Sequence, residues 1–248
     1  MAEPLRQAGR ASFALTAAAM IATPLVARGR RTLLANVVVG GLAGVTLCTA
    51  WRRWGGGRAG AAFGVTAAAT TAVERIGTTT GVPFGRYAYG TSLRPQVAGV
   101  PAAVPGAWFA MALPAREVAH AALGPRTSGA GRVVLGAACL TAWDLFLDPQ
   151  MTAEGYWRWA RPGRYRGIPV TNFVGWFATG LGVMVLLEVV LPPQAEPDAT
   201  AVATYAWMAV MQTLGFAVFF RDPVVALVGG AAMLPVALVA ARRMAVRG

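Results

Sequence analysis

The chain has 248 residues, 56% of them hydrophobic and 13% charged, with a formal net charge of +12. A soluble domain of this length carries about a quarter charged residues, so the balance indicates an integral membrane protein. All 22 basic residues are arginine, which excludes a lysine Schiff base; with no basic amphipathic stripe, nucleic acid is not an expected partner, and the excess charge points to cytoplasmic loops and anionic lipid.

Apolar windows of about 17–25 residues mark membrane-spanning helices. Eight are predicted, at 12–27, 33–50, 59–76, 100–123, 133–147, 171–191, 201–220 and 224–241. The fold class is therefore an all-α polytopic membrane bundle, and without internal repeats or linkers residues 1–248 read as a single domain. Arg6 and Arg10 before an apolar run resemble a signal peptide, but with so many later spans this is read as a first helix that is not cleaved. Pro24, Pro105 and Pro114 predict kinks. Residues 51–57 (WRRWGGG) form a short interfacial loop; no lysine follows the glycines, so this is no phosphate loop. Residues 192–198 form an acidic, proline-rich loop expected to face away from the cytoplasm. Cys48 and Cys139 sit in apolar helices as small buried hydrophobes. His120 is the one histidine, so a multi-histidine metal cage is excluded, and no metal site is expected.

Topology brings two loops together. Those after the third and fifth helices are separated by two crossings and so share a membrane face. Arg158, Arg161, Arg164 and Arg166 in the second favour the cytoplasmic side. On that face lie the residues with the most chemistry. Asp144 and Asp148, four apart in an apolar helix, are one turn from each other on one side. Carboxylates in an apolar setting face a cavity or a partner. Two so close do not both ionise, so one is expected to hold a proton that it can deliver inside a greasy pocket.

Glu74 closes the third helix at the same level, before a turned loop carrying Tyr87 and Tyr89, and Asn172 opens the sixth helix there. A purely structural reading stands beside this one: Glu74 pairs with Arg75 or Arg86, the aspartates neutralise loop arginines, and the aromatics form an interfacial belt. Arg116, Glu117 and His120, at the other end of the fourth helix, read as a structural ion pair with a nearby histidine. Glu188 reads as an interfacial or helix-pairing residue. The Asp-x-x-x-Asp spacing resembles a metal–diphosphate motif, but the second acidic cluster such sites need is missing.

The segments E-R-I-G-T-T-T-G-V-P-F-G-R-Y-A-Y (74–89), G-V-P (99–101), D-L-F-L-D-P (144–149), W-R-W (157–159), Y-R-G-I-P (165–169) and N-F-V-G-W (172–176) together resemble the membrane-bound carotenoid hydratases. That family includes γ-carotene 1′,2′-hydratase and the archaeal bisanhydrobacterioruberin hydratases. The likeness covers about residues 70–180 in order. It implies carotenoid biosynthesis in a prokaryotic plasma membrane: addition of water to the terminal C1′=C2′ double bond of an acyclic carotenoid end, giving a tertiary alcohol with no cofactor. The implied partners are a lipophilic carotenoid, membrane lipids and other enzymes of carotenoid synthesis.

The resemblance carries no catalytic residue across, so the roles follow from chemistry. Asp144 or Asp148 donates the proton and the other orients it. Glu74 or Asn172 positions the water or accepts its proton. Tyr87, Tyr89, Trp143, Trp157 and Trp176 stabilise a cation through their π faces and line a tunnel. The polyene enters sideways from the bilayer. End-group cyclisation, a proton-coupled or lipid transporter, and a non-catalytic scaffold are the alternative readings.

Overall fold

The computed structural model describes residues 2–124 and 127–246. Eight α-helices follow one another: α1 Ala2–Ala22, α2 Arg28–Trp54, α3 Gly56–Thr80, α4 Ala103–Leu123, α5 Gly129–Ala153, α6 Val170–Val190, α7 Ala199–Leu214 and α8 Pro223–Ala245. Five of these, α2, α5, α6, α8 and α7 continued through a π-helical turn at Gly215–Phe219, are long and apolar enough to cross a membrane. The other three fall short in composition. Helix α1 opens with Glu3, Arg6 and Arg10, α3 is built from Gly, Ala and Thr, and α4 carries Arg116, Glu117 and His120.

Helix α4 is the shaft of the bundle, packed by α2, α3, α5, α6, α7 and α8. From Ala107 to Ala122 every residue is buried, so its polar groups meet protein and never lipid. The outer surface is the reverse. Val170, Val174, Val189 and Leu227 are exposed, while Glu74, Arg116, Glu117, Asp144, Asp148 and Asn172 are buried. Apolar side chains outside and polar ones inside suit a lipid solvent.

Helix ends are set by ordinary caps. The side chains of Ser128, Asp198 and Asp222 accept hydrogen bonds from Gly131, Ala201 and Val225 N–H at the starts of α5, α7 and α8. Gly81, in the left-handed region at φ 84°, closes α3. The first helix starts ten residues before its expected window and ends at Ala22, five residues before the window does, while the fifth overruns its window at both ends. In α5 the helix continues past Pro149, because Asp148 and its neighbours stay buried against α6 and the loops.

The loops are more ordered than expected. Two short antiparallel ribbons form: β1 (Tyr87–Tyr89) pairs with β4 (Trp157–Trp159) where plain loops were expected, and β2 (Gln96–Val97) pairs with β3 (Val100–Pro101), which takes the first residues of the expected fourth helix, so that α4 starts only at Ala103. The first ribbon joins the α3–α4 and α5–α6 loops, so those loops do share one end of the bundle. Its register sets Tyr87 opposite Trp159, Ala88 opposite Arg158 and Tyr89 opposite Trp157. With side chains alternating across a ribbon, the four aromatics face the bundle while Ala88 and Arg158 point outward.

A knot of ion pairs ties the opposite end. Arg116 pairs with Glu117 at 2.9 Å and donates to the Leu187 and Leu191 carbonyls. Glu117 accepts the Asp198 N–H at 2.7 Å, and Asp198 also binds Arg52 at 2.6 Å. Glu188 pairs with Arg132 at 3.0 Å. The structural reading of this cluster and of Glu188 fits the contacts they make.

Candidate active site

Three carboxyl groups converge beneath the aromatic ribbon. Helix α3 turns one stripe inward (Ala59, Ala62, Thr66, Thr70, Glu74 and Gly77), and the small residues along it let the helix approach its neighbours closely. Glu74 ends that stripe and is 4% exposed. Phe84, at the tip of the loop that follows, is wedged between α3 and α6. A Cβ on Gly77 would meet Phe84 at 2.9 Å and one on Gly175 would meet it at 2.7 Å, so both positions need glycine for the ring to fit. This wedge places Tyr87 and Tyr89 over Glu74.

Glu74 accepts three hydrogen bonds. The Tyr87 and Tyr89 hydroxyls both donate to Oε2, the second at 2.6 Å, and Trp108 Nε1 donates to Oε1 at 3.1 Å. Burial first, and then the adjacent Glu74 charge, push both tyrosine hydroxyls above their ordinary range, so they stay protonated donors. An indole N–H can only donate. The cradle therefore fits an ionised Glu74 that accepts from all three.

Asp144 and Asp148 lie across the cavity on α5, bridged by one amide. Asn172 Nδ2 donates to Asp144 Oδ2 at 2.8 Å and to Asp148 Oδ2 at 2.5 Å. The other oxygen of the inner carboxyl, Asp144 Oδ1, is buried with no hydrogen-bond partner among the described residues. None of the ion pairs among the described residues includes Glu74, Asp144 or Asp148. Neutralisation by loop arginines, the structural alternative, is not what surrounds them: Arg166 pairs with Asp222 instead.

The cavity has a volume of about 620 Å³ with its mouth included. Glu74, Asp148, Asn172, Tyr87, Tyr89, Trp157 and Trp176 line it. So do Phe84, Trp108 and Trp159, which sequence reading did not single out, and among the described residues no arginine does. Asp144 is fully buried behind Asp148 and does not reach the wall. Trp143 also departs from expectation. It lines an adjoining chamber and meets the site only through an edge-on contact with Trp176 at 6.1 Å. Trp176 in turn stacks on Trp108 at 3.9 Å, and Trp159 leans on Tyr87 at 5.1 Å, so the wall is built of packed aromatic rings. The buried Trp159 N–H has no hydrogen-bond partner among the described residues.

A wall of π faces, a carboxyl pair with one proton donor's worth of room and a separate carboxylate cradled by donors can together protonate an alkene and shelter the cation. Among known proteins, the bisanhydrobacterioruberin hydratase of Haloarcula japonica is 35% identical over 133 residues. That match covers 53% of this chain and 45% of the relative, so the chain spans less than half the length of that protein. No solved structure matches this one. The carotenoid biosynthesis protein family matches residues 13–243, nearly the whole described bundle, and the chain belongs to that family.

Proposed function

We propose that the protein hydrates the terminal C1′=C2′ double bond of an acyclic carotenoid end, a reaction that needs an acid, a base and water and no change in oxidation state. The observation that carries this reading is the pairing of a carboxyl dyad with a separately cradled carboxylate across one aromatic, arginine-free cavity. Asp148, the dyad member on the wall, donates its proton to C-2′. The π electrons form the new C–H bond and leave a tertiary cation at C-1′, faced by Trp108, Trp157, Trp159 and Trp176. A water held between Glu74 and Asn172 forms the C–O bond, and Glu74 takes its released proton. Return of that proton from Glu74 to the dyad closes the cycle, with one water added and no electrons transferred. Asp144 acts behind the donor: two carboxyls this close share a proton more readily than they lose both. The name of the Haloarcula japonica relative supports the hydration class, and the family supports carotenoid chemistry.

All eight helices cross the membrane on this reading, with the site end cytoplasmic, as the arginines at 158, 161, 164 and 166 favour. The test is expression in a host that makes lycopene or γ-carotene, followed by mass analysis of the extracted pigments. A mass gain of one water is expected. Cyclisation would leave the mass unchanged, and transport would leave the pigment unaltered; either result replaces hydration.

A further inference from the structure

A second chamber of about 1290 Å³, its openings included, abuts the acid cavity. Ala35, Val39, Ala107, Leu147 and Met151 are common to the walls of both, so the two spaces are neighbours across a single layer of small or flexible side chains. Most of the chamber's remaining wall is methionine, phenylalanine and aliphatic residues. Its polar members are Thr23, Arg31, Gln150, Glu154, Tyr156 and Gln212, of which Arg31 and Glu154 neutralise each other at 2.7 Å.

The far side of this chamber is the bundle surface. Ile21, Leu214 and Phe219 line it and are also exposed on the outside. Helices α1 and α7 touch where the Phe13 and Trp207 rings meet at 5.4 Å. About two turns further toward the site end, at Ile21 and Leu214, the chamber lies between them. Both helices lose regular geometry at its rim: α1 passes into a 3-10 turn at Thr23–Leu25 containing Pro24, and α7 passes into the π turn at Gly215–Phe219. Irregular helix turns of this kind recur at functional sites, and lipid-exposed residues at a chamber mouth give an apolar ligand a route that avoids water.

We propose that this chamber is the binding site for the body of the polyene and that the gap between the α1 and α7 rims is its entrance from the bilayer. The inference rests on the hydration reading for the identity of the ligand, a long isoprenoid hydrocarbon. It adds where the chain beyond the reacting end lies. That chain passes the Ala35–Met151 layer, so recognition extends well past the acids.

Gly215 supplies the test. It lines the chamber, and a Cβ added there would meet one atom within 4 Å, Phe220 Cε2 at 3.9 Å, so a larger side chain is accommodated at its root and fills the space beyond. Membranes containing wild type, Gly215→Phe or Ile21→Trp are given either an acyclic carotenoid or a short acyclic isoprenoid alkene that fits the acid cavity alone. The ratio of carotenoid to short-alkene turnover should fall about tenfold or more in the variants, mainly through KM. An unchanged ratio in either variant that folds overturns the proposal. Should wild type hydrate neither compound, the hydration reading fails on its own. Quenching of tryptophan fluorescence by the polyene then decides the chamber: weaker quenching in Gly215→Phe upholds it, equal quenching sinks it.

Discussion

Replacing Asp148 by Asn separates acid from scaffold at the position where the two are most easily confused. The side chains are isosteric, and the new amide carbonyl can still accept the Asn172 N–H that reaches Asp148 at 2.5 Å. Packing around this residue, 2% exposed, should therefore persist, and the protein should accumulate in membranes at its normal level. What is removed is a proton on the cavity wall. A positioned general acid contributes about 10²–10⁴ in rate, so turnover should fall by that factor, equivalent to about 3–5 kcal/mol on the barrier. Asp144→Asn gives the comparison. Asp144 is fully buried and absent from the wall, so its loss disturbs the donor without abolishing it, and the fall should be smaller. The assay is initial formation of hydrated carotenoid per amount of membrane-inserted protein, separated by liquid chromatography and identified by mass. If Asp148→Asn keeps more than about a tenth of the wild-type rate while folded, the donor is elsewhere. If Asp144→Asn proves the more damaging, the two roles are reversed.

Glu74→Gln should keep the fold, since its amide can face the tyrosine hydroxyls while its carbonyl accepts from Trp108, yet lose about 10²-fold or more of the turnover for want of a base; near-normal rates would shift that role to Asn172. Phe84→Ala, at a ring 1% exposed and gripped by Gly77 and Gly175, should destabilise the protein by about 3–5 kcal/mol, read as a lowered thermal midpoint in detergent; a change under about 1 kcal/mol would show that the loop is not held there. The buried Tyr87 and Tyr89 hydroxyls are pushed up in the folded state, so their contribution to stability is whole below the ordinary tyrosine value of about 10 and is lost as pH rises past it. Alkaline unfolding should thus begin near that pH, and the Tyr87→Phe/Tyr89→Phe double variant should flatten this pH dependence; identical alkaline profiles would refute the linkage.

Eight helices were legible as apolar runs, although only five of them are long and apolar enough to cross a membrane, and the two distant loops expected on one face do pair. Less was legible where contacts span the chain. Trp108 sits in an unbroken apolar helix, and nothing local marks it as the donor to a glutamate 34 residues earlier. The Y-A-Y and W-R-W segments did carry a signal, large aromatic residues at alternate positions, which is the period of a strand; three residues each is too short to stand out, and only pairing with each other holds them extended. Helical spacing put Asp144 and Asp148 on one side of α5 but could not rank them. The angle between them decides that Asp148 reaches the cavity and Asp144 lies behind it. Trp143, adjacent in sequence to Asp144, points to the other chamber for the same reason.

Charge placement gives the site its chemical sense. The chain is strongly basic, yet the arginine pairs among the described residues lie outside the acid cavity: Arg31 with Glu154, Arg52 and Arg53 with Asp198, Arg116 with Glu117, Arg132 with Glu188, and Arg166 with Asp222. Glu117, Glu154, Glu188, Asp198 and Asp222 are thus each matched to a cation, whereas Glu74, Asp144 and Asp148 are held by amide, hydroxyl and indole donors. On the proposed mechanism, a guanidinium beside Glu74 or Asp148 would satisfy the ground state better but repel the carbocation, in a medium where such repulsion is poorly screened. Neutral donors would hold the carboxyl groups in place without opposing that intermediate, and indole and phenol rings would add attraction as positive charge develops.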